Sequence, residues 1–314
     1  MIDLDIVIVN WNTGPQLRDC LQSISLAIAP PGLRLCQCSV VDNASQDGSA
    51  DGLEDLPLPL TIIMNQDNKG FAYACNQGAK AGKSEYILFL NPDLRLFPNS
   101  LEKSLQFLDD KQNEQVGILG IQLVDANGVV HRNVARFPTP KTLFLQMLGL
   151  DRLWNRRFPS HFMTEWDHQD SREVDQVTGA FYLVRRSVFE KLEGFDERFF
   201  MYFEDLDFAY RAKHAGWKSY YLSDVQALHF GGGASYQVKA KRLYYVLYSR
   251  LLYVAKHFGA NSTIAILVAS FIVEFWIRLG WSITSFSKQN FISTIQAYCM
   301  FLHNLPRLLR NLKK

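Results

Sequence analysis

Neither sign of charge dominates this sequence. Its 314 residues carry 33 basic and 31 acidic side chains, a formal net charge of +2, so no whole-chain field draws it to nucleic acid. The five cysteines, Cys20, Cys36, Cys38, Cys75 and Cys299, are odd in number and show no C-x-x-C spacing. That excludes a paired-cysteine zinc or redox motif and leaves reduced, mostly buried thiols. The opening stretch IDLDIVIVNWN has no basic n-region and no small-residue cleavage site, so the expectation is a chain that folds in the cytoplasm. No Gly-rich phosphate loop follows that stretch either: NWNTGPQLR stands there, which argues against a sugar nucleotidyltransferase. What the chain does have is length and apolar content, 48% hydrophobic, enough for one domain of roughly 230 residues and an appendage.

The first third alternates short β-branched runs with helical patterns. The spacing predicts strands over Asp5–Asn10, Leu35–Asp42, Leu60–Asn65 and Tyr86–Leu90, with helices over Gly14–Ala27 and Phe71–Ala81. Strands alternating with helices imply an α/β fold with a mostly parallel sheet and helices on both faces. Ligands of such sheets lie beyond the carboxyl ends of the strands. Those ends read Asn10-Trp11-Asn12, Asp42-Asn43-Ala44-Ser45, Asn65 through Gly70, and Asn91-Pro92-Asp93. Turn chemistry favours Asn, Asp and Gly in any one loop, but four such loops on one edge point to a binding site. Further strands are expected over Gly117–Leu123, Asp175–Arg185 and Trp217–Leu222, with a loop-rich insertion from Asn127 to Arg172 between the first two and a helix over Leu206–Ala215.

Within FDERFFMYFEDLDFAYR, Phe195 to Arg211, an aromatic run delivers Glu204, Asp205 and Asp207 to the start of a helix. Carboxylates enter apolar surroundings to bind a metal, pair with a cation or act as a base, because an unpaired buried charge costs several kcal/mol or more. Asp207 suits a structural role, capping the helix or pairing with Arg211 four residues on. Asp93, closing the apolar strand YILFL, is placed to hold Mg²⁺ or Mn²⁺ against a diphosphate, since hard cations need few protein carboxylates when phosphate and water fill the remaining positions. Asp42 can accept from the N3–H of a uracil or thymine ring. Asn68, Lys69 and Gly70 precede a helix whose free N–H groups suit an anion. His229, before Gly231, Gly232 and Gly233, is a further metal or diphosphate contact beside a hinge.

From Arg242 onward the chain reads as helical, and Thr263 to Trp281, TIAILVASFIVEFWIRLGW, is apolar apart from Ser270, Glu274, Arg278 and glycine. Two charges make this a poor membrane span. A helix lying on the bilayer surface fits better, helped by the basic end Arg307, Arg310, Lys313 and Lys314. The alternatives are a buried packing helix and a homo-oligomer contact.

Taken in order, VIVNWN, VDNAS, NKGFAYACNQG, LFLNPD, TGAFYLVRR, FDERFFMYFEDLDFAYRAKHAGW and HFGGG resemble the family 2 inverting glycosyltransferases of the GT-A fold, and among them the bacterial dTDP-rhamnosyltransferases. The resemblance spans about Ile2 to Gly233 and implies a GT-A domain over residues 1–235; the apolar helical pattern after it gives the expectation of a helical, membrane-associated extension over 236–314. It implies Asp205 as general base with Glu204 beside it at substrate hydroxyls, and Asp93 as the metal carboxylate of the DxD motif with His229 as a second contact. Asn10, Asp42, Asn68, Lys69, Gly70 and Asn91 are then the nucleotide-binding residues. Asn91 stands where the DxD motif has its first aspartate. The implied partners are a dTDP- or UDP-sugar donor and a glycan or polyprenyl-linked acceptor, met at the cytoplasmic face of the membrane. An inactive sugar-nucleotide-binding scaffold is the non-enzymatic alternative.

Overall fold

In the computed structural model, which describes residues 1–28, 32–231 and 238–311, the first strand, β1 (Ile2–Asn10), is apolar on both faces for a reason visible in its packing. Leu4, Ile6 and Ile8 enter one core with Leu17, Cys20, Leu21 and Ile24 of helix α1 (Gln16–Ala27). Val7 points the other way, and a Cβ on Gly78 would sit only 2.5 Å from its Cγ1. Gly78 belongs to a helix on that second face, so β1 is covered from both sides, as strands of parallel sheets are.

The remaining strands and helices follow in chain order: β2 (Leu33–Asp42), β3 (Leu60–Met64), α2 (Phe71–Ala79), β4 (Tyr86–Leu90), β5 (Leu94–Leu96), α3 (Ser100–Asp109), β6 (Val116–Val124), β7 (Val130–His131), β8 (Val134–Ala135), α4 (Pro140–Met147), α5 (Leu150–Leu153), β9 (Arg172–Val174), β10 (Gln176–Val177), β11 (Phe181–Arg185), α6 (Arg186–Lys191), α7 (Glu204–His214), β12 (Lys218–His229), α8 (Lys239–Ala269), α9 (Phe275–Thr284) and α10 (Lys288–Asn311). The main sheet runs β3-β2-β1-β4-β11-β6-β12-β5. β3, β2, β1 and β4 are mutually parallel, β6 and β12 are parallel to each other, and β11 lies antiparallel between β4 and β6. The sheet is thus mixed and mostly parallel, with helices on both faces.

Two expectations need correcting. The single strand over Asp175–Arg185 is two: Gln176 and Val177 leave the main sheet to pair with Ala135 and Val134, and only Phe181–Arg185 runs between β4 and β6. The last strand reaches to His229, seven residues beyond Leu222, because its second half pairs with β5.

The chain divides into two compact units, one of Met1–Arg136, Asp167–Glu197 and Glu204–Ala234, the other of Phe137–Trp166, Arg198–Phe203 and Ser235–Lys314. The expected boundary at 235/236, the glycines Gly232 and Gly233, and the basic residues Lys313 and Lys314 lie outside the described residues. In the second unit, α8 is interrupted at Gly259 (φ +78°), and the helical run Lys239–Thr284 is long and apolar enough, by length and composition, to cross a membrane. Glu274 and Arg278, the two charges within the apolar stretch Thr263–Trp281, are paired. Glu274 binds Arg250 at 2.5 Å and Arg278 at 2.7 Å. Burial pushes the Glu274 carboxyl up, but the two guanidinium groups overcome it and hold it at about 2. Ile264, Val268, Ile272 and Trp276, each four residues apart, are exposed.

Candidate active site

The polar strand ends converge as their alternation with helices requires. Asn10 and Asp42 end neighbouring strands in register, and both are fully buried. Asn10 Nδ2 donates to Asp42 Oδ1 at 2.7 Å and to Ser49 Oγ at 2.8 Å, while Asp42 Oδ2 accepts from the Ser45 amide at 2.9 Å. The loops after β1 and β2 are further tied by Asn12, whose amide donates to Ser45 Oγ and whose Oδ1 accepts from the Gln46 amide. Asn12 and Ala44 hold positive φ angles of 52° and 63°, a conformation side chains resist unless the surroundings impose it. Asp42 therefore stands at the centre of a rigid polar floor.

Around the third loop, Asn65 donates to Asn43 Oδ1 at 2.9 Å, and Asn68 Oδ1 accepts from the Gly70 amide at 2.9 Å. Gly70 opens α2 at φ +94°, which only glycine adopts without strain. Lys69 pairs instead with Asp67 at 2.7 Å on the exposed rim. Asn91 is fixed through its backbone, its amide donating to Ala180 O at 2.8 Å.

The β5–β12 ladder sets Leu94 opposite His229 and so brings Asp93 to it. His229 Nε2 stands 3.3 Å from Asp93 Oδ2, and Asp93 Oδ1 is buried without a hydrogen-bond partner. An orphaned carboxylate oxygen beside an imidazole suits a divalent cation whose other positions come from diphosphate and water, so the pair fits the implied Mg²⁺ or Mn²⁺. Among the described residues no group of three or more His, Cys, Asp or Glu could hold a metal alone. His131, which the sequence did not single out, stands with its Nδ1 3.3 Å from His229 Nδ1. Its place follows from the short β6–β7 hairpin, which pairs His131 with Leu123. His131, Arg132, Asn133, Thr178 and His229 line a cavity of about 570 Å³.

The aromatic run before the carboxylates has a packing purpose. Phe195 lies 4.9 Å from Phe89, 5.5 Å from Phe189 and 5.3 Å from Phe208, seating α7 on the α2 face of the sheet. Asn76 of α2 clasps the same segment, accepting from the Phe195 amide and donating to its carbonyl. Tyr202 and Phe203, directly before the helix, hold positive φ angles of 67° and 69°, backbone strain of the kind stored at functional sites.

Asp205 Oδ2 accepts from the Gly179 amide at 2.7 Å and Oδ1 from the Leu206 amide at 2.7 Å. Burial raises its carboxyl above the ordinary range, and these two amides restrain the rise. Burial, followed by the Asp205 charge, pushes the Glu204 carboxyl higher still, and Glu204 Oε2 has no partner. Asp207 is structural: fully buried, it holds Arg211 Nε at 2.8 Å, one of the two roles expected of it. Thr178, on the cavity wall, is the residue before Gly179. The chain thus connects Asp205 to the cavity of His229 within two residues.

A mixed, mostly parallel sheet with helices on both faces and a long helical C-terminal region is the architecture of the GT-A glycosyltransferases. The family model described as "Glycosyltransferase like family 2" matches residues 3–243, and the chain belongs to this family. Among curated relatives, it is 29% identical over 238 residues to the N-acetylglucosaminyl-diphospho-decaprenol L-rhamnosyltransferase of Mycobacterium tuberculosis (strain ATCC 25618 / H37Rv), covering 72% of this chain and 75% of that one. It is 27% identical over 193 residues to the rhamnosyltransferase WbbL of Escherichia coli (strain K12), covering 61% and 69%. The fold is shared with the mannosyltransferase PcManGT from Pyrobaculum calidifontis in complex with GDP-Man and Mn2+, at a TM-score of 0.54 and 14% identity over 95% of this chain and 86% of that one. It is also shared with S. aureus TarS 1-349 in complex with UDP-GlcNAc, at 0.53 and 16% over 94% and 81%.

Proposed function

We propose that this glycosyltransferase moves L-rhamnose from dTDP-rhamnose, with inversion, onto a sugar carried by a polyprenyl diphosphate. The observation that carries the reading is the linkage of Asp205, through Gly179 and Thr178, to the cavity that also holds His229. Inverting transfer needs one base for the acceptor hydroxyl and stabilisation of the departing diphosphate on the other side of the sugar. A carboxyl raised by burial is suited to the first task, and the amides of Gly179 and Leu206 fix its aim. Asp93 and His229 would hold a divalent cation, which when bound neutralises charge on the diphosphate. Rhamnose and the diphosphopolyprenyl acceptor rest on the names of the relatives.

In this reading Asp42 and the loops around it receive the nucleotide base, with Asn10 bracing Asp42, while Asn68 and Gly70 shape the start of α2. Glu204, whose carboxyl burial pushes well above the ordinary range, offers a hydroxyl-binding group beside the base. The first unit is the GT-A domain. The second carries the exposed apolar row Ile264, Val268, Ile272 and Trp276, by which the chain sits on the cytoplasmic face of the membrane; the aromatic end of that row has the amphipathic character of interfacial anchors.

Calorimetric titration with dTDP, UDP, GDP and ADP, each with and without Mn²⁺, tests the donor. Metal-assisted preference for dTDP supports the reading. Preference for UDP keeps the enzyme class and removes rhamnose; binding of none favours a scaffold. A Trp276→Asp, Ile272→Asp variant should lose vesicle flotation, and an unchanged flotation with a shift from dimer to monomer would turn the row into a contact between copies.

A further inference from the structure

The second unit contains a cavity that the transfer reaction has not used. It measures about 240 Å³, lies within the segment Phe137–Trp166, and is lined by Lys141, Leu145, Asp151, Arg157, Phe158 and His161 among others. Three chemistries meet in it. Lys141 and Arg157 bring two positive charges, and neither has an ion-pair partner among the described residues, although exposed cations elsewhere in the chain, such as Lys213 with Asp175, commonly find one. Asp151 brings a carboxylate whose Oδ1 is buried and accepts no hydrogen bond, even with two cations on the same wall. Leu145 and Phe158 bring apolar surface. The same segment displays Phe144, Leu153, Trp154 and Phe162 exposed.

Cations without carboxylate partners suit phosphate oxygens, which accept charge-assisted hydrogen bonds. An orphaned carboxylate oxygen needs a donor that phosphate lacks at neutral pH, and a sugar hydroxyl supplies one. Apolar walls suit a hydrocarbon chain. One class of molecule has all three parts in sequence: a sugar, a diphosphate and a lipid tail. We infer that this cavity is a head-group site for the acceptor, in which Lys141 and Arg157 hold the diphosphate of a lipid-linked sugar and Asp151 accepts from a hydroxyl of that sugar. The inference rests on the reading of the acceptor as lipid-linked, and it adds the residues that recognise it.

The test uses the full chain in neutral detergent, free of phospholipid, with dTDP-rhamnose and two acceptors: N-acetylglucosamine on a short-chain isoprenyl diphosphate, and the same sugar on an uncharged alkyl chain. Lys141→Ala and Arg157→Ala should each raise KM for the diphosphate acceptor about tenfold, the scale of one lost charge-assisted hydrogen bond. KM for donor, kcat and the melting temperature should hold, and Lys141→Arg should restore much of the loss. The uncharged acceptor should be used equally by all variants. Equal losses with both acceptors, or no loss with either, would overturn the assignment. Weaker flotation on phosphatidylglycerol vesicles with an unchanged acceptor KM would overturn it in favour of a phospholipid head group. Wild-type protein that binds dTDP yet transfers to no lipid diphosphosugar would bring down the functional reading itself, whereas wild-type transfer that both substitutions leave untouched would remove only this cavity.

Discussion

The Arg250–Glu274–Arg278 cluster makes a prediction whose size comes from the structure. The Glu274 carboxyl is held at about 2 against an ordinary 4.5, and the residue is 4% exposed, so solvent screens the cluster little. Because the folded value is depressed, the stabilisation is complete above about pH 4.5 and is lost as pH falls toward 2. The shift corresponds to about 3 kcal/mol at neutral pH and about half that at pH 3. Glu274→Gln removes it and leaves Arg250, itself buried, beside a neutral amide, so the variant should be less stable than wild type by about 3–5 kcal/mol at pH 7. The difference should shrink by roughly 2 kcal/mol by pH 3. Urea unfolding of both proteins in neutral detergent, followed by far-ultraviolet circular dichroism between pH 7 and pH 3, measures it. A gap that is the same at every pH, or below about 1 kcal/mol at pH 7, would refute the idea that ionised Glu274 organises the helical unit. The companion double variant, Glu274→Leu with Arg250→Met, should recover much of the loss, since it removes both buried charges together.

Two further outcomes concern the donor side. Asp42→Ala frees the Ser45 amide and one bond of Asn10, so calorimetry should find dTDP binding weakened at least about tenfold with acceptor KM unchanged; unaltered donor affinity would confine Asp42 to bracing its loop. Asp93→Asn should abolish the gain in dTDP affinity that Mn²⁺ gives wild type, and a metal effect of full size in that variant would place the cation elsewhere.

Much of the candidate site was legible in the sequence because its signals are local. A carboxylate closing an apolar strand, as Asp93 does, and carboxylates at a helix start behind aromatic residues, as Glu204 and Asp205 are, can be read from a dozen residues of sequence. Asp207 with Arg211 is a four-residue relation on one helix. The missing pieces depend on distant pairing. His131 sits on a two-residue strand, too short for periodicity to mark, and meets His229 only because β6 holds both neighbours. Spacing does not connect Arg250 with Glu274, because 24 positions and an interrupted helix separate them. The break at Thr178–Ala180 was hidden inside an apolar run that reads as one strand, yet that break supplies the amide that holds Asp205. Helix α3 does carry a local signal, since Leu101, Leu105 and Leu108 follow helical spacing and are buried together.

In the proposed reaction Asp205 takes the proton of the acceptor hydroxyl. The most direct test of this step is the transfer rate of Asp205→Asn at saturating donor and acceptor, with dTDP affinity measured on the same preparation. A kcat lower by at least about a hundredfold, the scale of a lost general base, is expected with donor affinity retained. A kcat near that of wild type would contradict that role for Asp205.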